Sequence, residues 1–451
     1  MANNFIIRPN FHITADKGWI NDPNGLVKFN GKYHVFYQHY PKDTCWGPMH
    51  WGHVVSDDLI TWERLPIAIA PSGAESGCFS GCSIVWQNKL WLIYTGFYEN
   101  GGGENIRQVQ CLASSQDGVN FVKHGVIIDE KSLPSIYNPC DFRDPNVWQV
   151  GNTFYMVVAG KVKNGKGRVL SFKSNDLFKW EFIGDIFNKD SKGEMIECPD
   201  YSPEMKLLTT SEQFQPREGY THLNVHSTRW FTGNFNSEYS LFNIENQGIV
   251  DYGFDFYAPQ SFKGENVLIG WLDMWDRNNP SDKYGFAGML TVPRKLQLIN
   301  GELYQTPIYS GEKVVDTKVE NYFTDESNSC AITINIKNLK DFSLKVRAKG
   351  DSFTEFRLDG DKWIFDRSKS GEVINGVEKD EYSVNALRPM PYEKTEDTLI
   401  TVIIDLFSVE IFVNGKSSSN TVYPDLDAKG ILLKVNAEDC RYSRYEIGKN
   451  L

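Results

Sequence analysis

The sequence holds no apolar run near the roughly 18 residues that a membrane-spanning helix needs, and its opening, "MANNFIIRPNFHITADKGW", has neither a basic leader nor an apolar stretch of secretory length. The expectation is a cytoplasmic protein with no membrane partner. Positive charge is also in short supply: Lys and Arg total 47 against 58 Asp and Glu, a net charge of -11. A nucleic-acid partner would demand the opposite sign, so that class drops out. Cysteine lacks any pattern. The eight residues at 45, 78, 82, 111, 140, 198, 330 and 440 form no CxxC pair and no metal-ligand rhythm, which in a chain of this length reads as buried free thiols, with neither disulfides nor zinc.

What the chain does contain is 41% hydrophobic and 23% charged residues, the balance of a soluble globular protein. Its 451 residues exceed what one core organises, so two domains are expected. Aromatic residues make up 14%; such rings serve sugar-binding faces and also pack all-β cores.

An internal repeat sets the architecture. "SDDLITW" from Ser56, "SQDGVNF" from Ser115 and "SNDLFKW" from Ser174 share Ser, then Asp two residues on (Asp58, Asp117, Asp176), then an aromatic (Trp62, Phe121, Trp180), with starts 59 residues apart both times. A fixed period of this kind marks supersecondary units stacked or arranged around an axis. Strand-like runs introduced by polar turns accompany it: "GKYHVFYQ", "NKLWLIYTG", "GNTFYMVVAG" and the weaker "EMKLLTTS" and "ENVLIGWLD". Five units between about residue 15 and residue 305 imply an all-β fold, a five-bladed β-propeller over residues 1–308. Beyond it, "CAITINI", "FSLKVRA", "TEFRLDG", "TLITVIIDLFSVEIFVNG" and "ILLKVNA" alternate apolar and polar residues between turn signals, as a β-sandwich does. Residues 309–451 are therefore expected to form a structural sandwich domain.

Each blade has a short motif upstream of its strongest run: "NDPNG" (Asp22), "FSGCS" (Ser80), "FRDPN" (Asp144), "ECPDY" (Glu197) and "FYAPQ" (Tyr257). On composition these are turns, and equivalent turns of a propeller would ring the axis. Three carboxylates would then meet in one funnel. Paired carboxylates in a concave site suit glycoside hydrolysis, one acting as nucleophile and the other, with a raised pKa, as proton donor. The apolar "IECP" context and the neighbouring aspartates are expected to raise Glu197.

These motifs, with "WINDPNG", "YHVFYQHYP", "WGPMHWGHVVSDDLITW", "GMLTVPRKL" and "DLFSVEIFVNG", resemble over the whole chain the glycoside hydrolase family of invertases, fructan hydrolases and sucrose-6-phosphate hydrolases, family 32. The resemblance implies a retaining β-fructofuranosidase. Asp22 matches the nucleophile that forms a covalent fructosyl intermediate, Glu197 the acid/base and Asp144 the transition-state stabiliser. Asn21, Gln38, Trp46, Phe79, Ser80, Arg143 and Trp271 match positions that line the fructose subsite. Retention implies Asp22 and Glu197 carboxyls about 5 to 5.5 Å apart. Ile20 stands where methionine is more usual in the family and Cys82 where serine is common.

Plainer readings compete at several positions. Trp51 is evenly divided between core and pocket; His50 and His53 of "HWGH" read as structural rather than metal ligands, and Cys198 as a small thiol tuning polarity. The implied chemistry needs no cofactor and no metal. Its small-molecule partner is a fructoside: sucrose 6-phosphate, sucrose, or a fructooligosaccharide, with the oligosaccharide exohydrolase as the alternative activity and a non-catalytic fructoside-binding propeller as the remote one. A phosphate would want a cation at the funnel rim, the candidates being Lys161, Lys163, Lys166, Arg168, Arg277 and Lys283. The oligomeric state is left open.

Overall fold

The runs picked out by their β-branched and aromatic content are strands, each the second in its own sheet: Lys32–Tyr40, Lys89–Tyr98, Thr153–Val162, Leu207–Gln213 and Val267–Trp271. The computed structural model describes residues 7–99, 106–187, 192–376 and 387–448. Among these residues no helix is long and apolar enough to cross a membrane, and the helical elements are two short 3₁₀ turns, Glu130–Ser132 and Pro280–Tyr284. Residues 18–307 fold into five antiparallel sheets of four consecutive strands, the first sheet carrying one extra strand. The first strands of the sheets are Gly18–Phe29, Gly77–Trp86, Tyr137–Val150, Met195–Ser202 and Tyr257–Phe262. Each touches the next and the fifth touches the first, so they close a ring. The extra strand, Phe286–Ala287, lies in the chain between the second and third strands of the fifth sheet, pairs in parallel with Gly18 and Trp19, and so ties the fifth unit to the start of the first.

The 59-residue repeat is a turn with one set of hydrogen bonds. Asp58 Oδ1 accepts from the Ser56 hydroxyl and from the amides of Ile60 and Thr61. Asp117 does the same with Ser115, Val119 and Asn120, and Asp176 with Ser174, Phe178 and Lys179. In each sheet this turn joins the third strand to the fourth, and a short carboxylate is the side chain that can replace backbone acceptors in so tight a loop.

The five motifs, four of them proline-bearing, are not turns, as their composition suggests, but the middles of the first strands. Each lies at a break in pairing register: between Ile20 and Pro23, Phe79 and Gly81, Glu197 and Asp200, and Tyr257 and Gln260, with the third at Arg143 to Asn146 opposite Ala159 and Val157. Proline cannot donate to a ladder and is tolerated in a strand where a bulge removes that demand.

The residue after the bulge laces the ring. Asn24 Oδ1 accepts from Gly81 N, Cys82 Sγ from Val147 N, Asn146 Oδ1 from Tyr201 N, Asp200 Oδ2 from Ser261 N and Gln260 Oε1 from Leu26 N. Every sheet thus receives a backbone donor from the next, all the way round.

The remaining strands form two six-stranded sheets sharing one core, with Ile332, Ile334 and Val402 of one packed with Leu344, Phe356 and Trp363 of the other. Buried ion pairs join this pair of sheets to the ring. Arg294 binds Asp251 at 2.9 Å and Glu410 at 2.5 Å, Arg367 and Arg277 both bind Asp255, and His12 lies between Asp405 and Glu410. Five of the cysteines are buried as expected; Cys140 and Cys198 are half-buried and Cys45 is exposed.

Candidate functional site

The bulges determine which side chains meet on the axis. Aligning the sheets on the bulge puts Asp22, Ser80, Asp144, Cys198 and Ala258 in equivalent positions, four of them directly before a proline. Glu197 and Tyr257 fall one residue earlier, level with Arg143, Phe79 and Asn21. The ring of equivalent residues expected from sequence is therefore offset by one in its last two members. Asp144 (φ 63°), Cys198 (φ 46°) and Ala258 (φ 46°) all have left-handed backbone, a costly conformation for non-glycine residues that clusters at functional sites.

A cavity of about 470 Å³ opens over this ring, and Asp22, Asp144 and Glu197 all line it. Asp22 is held from both oxygens. Its Oδ2 accepts from the Ser80 hydroxyl at 2.6 Å and from the Cys198 thiol at 3.4 Å, and its Oδ1 accepts from the Asn21 amide at 3.1 Å. Asn21 is fixed in turn by the Trp19 indole. Asp144 Oδ2 accepts from the Cys198 amide at 3.0 Å, while its own amide donates to the Thr95 hydroxyl. Glu197 is clamped at both ends: Arg143 Nη2 donates to Oε1 at 2.8 Å and the Tyr257 hydroxyl to Oε2 at 2.7 Å.

These contacts divide the carboxylates electrostatically. Burial raises Asp22 and outweighs the hydrogen bonds from Ser80 and Asn21. Burial also raises Asp144, only partly relieved by Arg143, and with Glu197 and Asp22 adding their charge it is pushed up to about 7. Glu197 goes the other way from the sequence expectation. Burial raises it, but the Arg143 guanidinium, His226 and the Tyr257 hydrogen bond together take it below the usual carboxylate range. The reason is Arg143, whose guanidinium is aimed at Glu197 and lies 3.9 Å from Asp144.

Of the other side chains singled out from the sequence, Asn21, Gln38, Trp46, Phe79, Ser80 and Arg143 all line the cavity. Trp46 packs edge-on to Phe79, which stacks on Phe97 at 4.4 Å to make an aromatic wall. Trp271 does not reach the cavity. It is fully buried at the end of the second strand of the fifth sheet, behind Trp19 and Trp275. Trp275, in the excursion that follows, lines the cavity in its place. Strand alternation would put these two tryptophans, four apart in "WLDMWD", on one face; they part because the strand ends at Trp271, a break the local pattern does not show. Gln108, Asp141, Gln213 and His226 also line the cavity and were not singled out.

Trp51 is a core residue, fully buried with its indole donating to Phe79 O. His53 is buried against His34 and Phe36, while His50 bonds the Pro48 carbonyl. None of the six candidate rim cations lines the cavity. Arg277 is buried against Asp255, Arg168 pairs with Asp185, and Lys283 pairs with Glu372. Among the described residues, Arg143 is the one arginine or lysine that lines the cavity.

Comparison with known proteins finds two family matches. Residues 12–307 match "Glycosyl hydrolases family 32 N-terminal domain" and residues 302–447 match "Glycosyl hydrolases family 32 C terminal". A sucrose-6-phosphate hydrolase of Zymomonas mobilis is 34% identical over 470 residues, covering 95% of this chain and 89% of that protein. The solved GH32 beta-fructofuranosidase of Bombyx mori is similar at 31% identity with a TM-score of 0.85, over 98% of this chain and 94% of that one. The sucrose-6-phosphate hydrolase of Lactobacillus gasseri shares the fold at a TM-score of 0.89 and 23% identity, over 100% of this chain and 95% of that one.

Proposed function

The chain belongs to glycosyl hydrolase family 32, it is a glycoside hydrolase, and from that premise we propose that it is a retaining β-fructofuranosidase acting on sucrose 6-phosphate and sucrose. One observation carries the reading: three carboxylates line a single cavity, Asp22 locked by Ser80 and Asn21, and Glu197 clamped by Arg143 and Tyr257. Relatives that bear the name sucrose-6-phosphate hydrolase support the substrate. A phosphorylated sugar does not cross a membrane unaided, so this substrate goes with a cytoplasmic site of action.

In this reading Asp22 attacks the anomeric carbon of the fructosyl unit, forming a carbon–oxygen bond as the bond to the leaving sugar breaks. Glu197 gives its proton to the departing oxygen, then takes one from the water that displaces Asp22. Asp144 holds fructose hydroxyls. The crowded carboxylates share the available protons, so the proton retained near Asp144 at neutral pH has to reside on Glu197 when the leaving oxygen arrives. Arg143 is the group that governs this, because it draws Glu197 down.

The scaffold proposed with this site is a five-bladed β-propeller over residues 1–308, each sheet a blade, followed by a β-sandwich over 309–451. The closed cycle of first strands and the shared core of the two six-stranded sheets support it.

Fructose release from sucrose and sucrose 6-phosphate by the wild type, Asp22→Asn and Glu197→Gln tests the assignment. Asp22→Asn is expected to lose at least about a thousandfold in kcat with the fold intact, and near-normal turnover overturns the nucleophile role. Glu197→Gln is expected to lose most on sucrose and least on an aryl fructoside whose leaving group needs no proton. Equal losses on both would remove Glu197 as the acid.

A further inference from the structure

Phe214 is the most exposed phenylalanine among the described residues, 52% accessible, and its backbone is left-handed, φ 54°. Both features are unfavourable. A bulky side chain strains that backbone, and an exposed ring gains little from burial. Asparagine or glycine would suit the conformation better. The ring is nonetheless held in a definite place. The Phe214 amide donates to Val225 O at 3.0 Å, and the ring stands perpendicular to His226 with centroids 4.9 Å apart.

That place is one step outside the cavity. Phe214 follows Gln213, the last residue of its strand, and Gln213 pairs across the sheet with His226; both line the cavity. Glu197 is on the adjoining first strand of the same sheet, paired with Ser211. The proton donor faces the leaving sugar, so this wall is the leaving-group side, and moving outward along it leads from Glu197 past Gln213 and His226 to Phe214. The wall groups there are an amide and an imidazole, hydrogen-bonding groups that suit sugar hydroxyls. An exposed ring in such a position offers an apolar face to the C–H face of a sugar.

We propose that Phe214 is the platform of an outer subsite that takes a third, uncharged glycosyl unit, attached to the leaving sugar, so that trisaccharides are bound better than a disaccharide pocket alone would bind them. This rests on the fructosidase reading above.

The test compares kcat/KM on sucrose, raffinose and 1-kestose for the wild type, Phe214→Ala, Phe214→Asn and Phe214→Trp. Raffinose carries its third unit on a leaving glucose and 1-kestose on a leaving fructose, so the two distinguish the source of the unit. Phe214→Ala and Phe214→Asn are expected to lose about five- to tenfold on at least one trisaccharide while staying within about twofold of wild type on sucrose. Phe214→Trp should retain trisaccharide activity. The asparagine variant separates ring from backbone, since it removes the platform while easing the strain. A parallel fall on all three sugars, or no fall on any, overturns the subsite, as does a wild type that cleaves sucrose and neither trisaccharide. A wild type that releases no fructose from any of the three or from sucrose 6-phosphate would instead sink the fructosidase reading, and the subsite with it, whereas one that cleaves sucrose 6-phosphate alone overturns only the subsite.

Discussion

Arg143 faces three carboxylates along the cavity wall, Asp141, Asp144 and Glu197, and its guanidinium is spent mainly on Glu197. Removing that charge should raise Glu197, because the ionised form loses its partner. The alkaline limb of the kcat/KM profile, set by loss of the shared proton as pH rises through about 7, is therefore expected to move to higher pH in Arg143→Gln, with a lower maximum rate. A limb that stays or moves down would show that Arg143 does not control the acid. The paired tryptophans make a second contrast at this scale. Trp275→Ala should raise KM about tenfold by removing a cavity wall, whereas Trp271→Phe should leave KM near wild type and lower the unfolding free energy by about 1 to 2 kcal/mol. KM values and denaturant midpoints measured on both variants check this.

At the scale of single elements, the bulged first strand is the unit on which the site depends. Asp200 shows how much each lacing residue carries: it accepts from Asn146, Ser261 and Lys263. Asp200→Ala would strand those buried donors and is expected to cost about 3 to 5 kcal/mol, read as a lower denaturation midpoint. Asp117→Ala, in an exposed repeat turn, should cost only about 1 kcal/mol. The repeat turns and the second strands were legible in the sequence because they depend on local rules: a carboxylate two residues after serine, and apolar alternation. The first strands were not, because proline, glycine and asparagine in a bulge have the composition of a turn. The offset of Glu197 had a readable signal. "DPN", "DPN", "CPD" and "APQ" align on proline and place the glutamate one residue before the aspartates. Arg277 and Lys283 were unreadable as rim residues, since their acidic partners lie 22 and 89 residues away in sequence.

For the whole molecule, the seam between the ring and the paired sheets is ionic and buried. His12 donates to Asp405 at 2.9 Å and to Glu410 at 2.8 Å. Burial alone would lower it, but these carboxylates push it up to about 9. A histidine raised in the folded state adds stability that is complete below its unfolded pKa of about 6.5 and disappears as pH rises through 9. Stability is expected to fall by about 3 kcal/mol between pH 6 and pH 10, and His12→Gln should flatten that slope; an identical slope in the variant would place the effect elsewhere. The closing strand has a consequence in time. Phe286 and Ala287 pair with Gly18 and Trp19, so a chain growing on the ribosome carries Asp22, Asp144 and Glu197 well before the strand that ties the fifth sheet to the first exists. The tie between the two ends of the ring is thus a late event in assembly, and a chain cut short before residue 286 is expected to carry all three carboxylates and yet release no fructose, which an assay of the truncated protein checks.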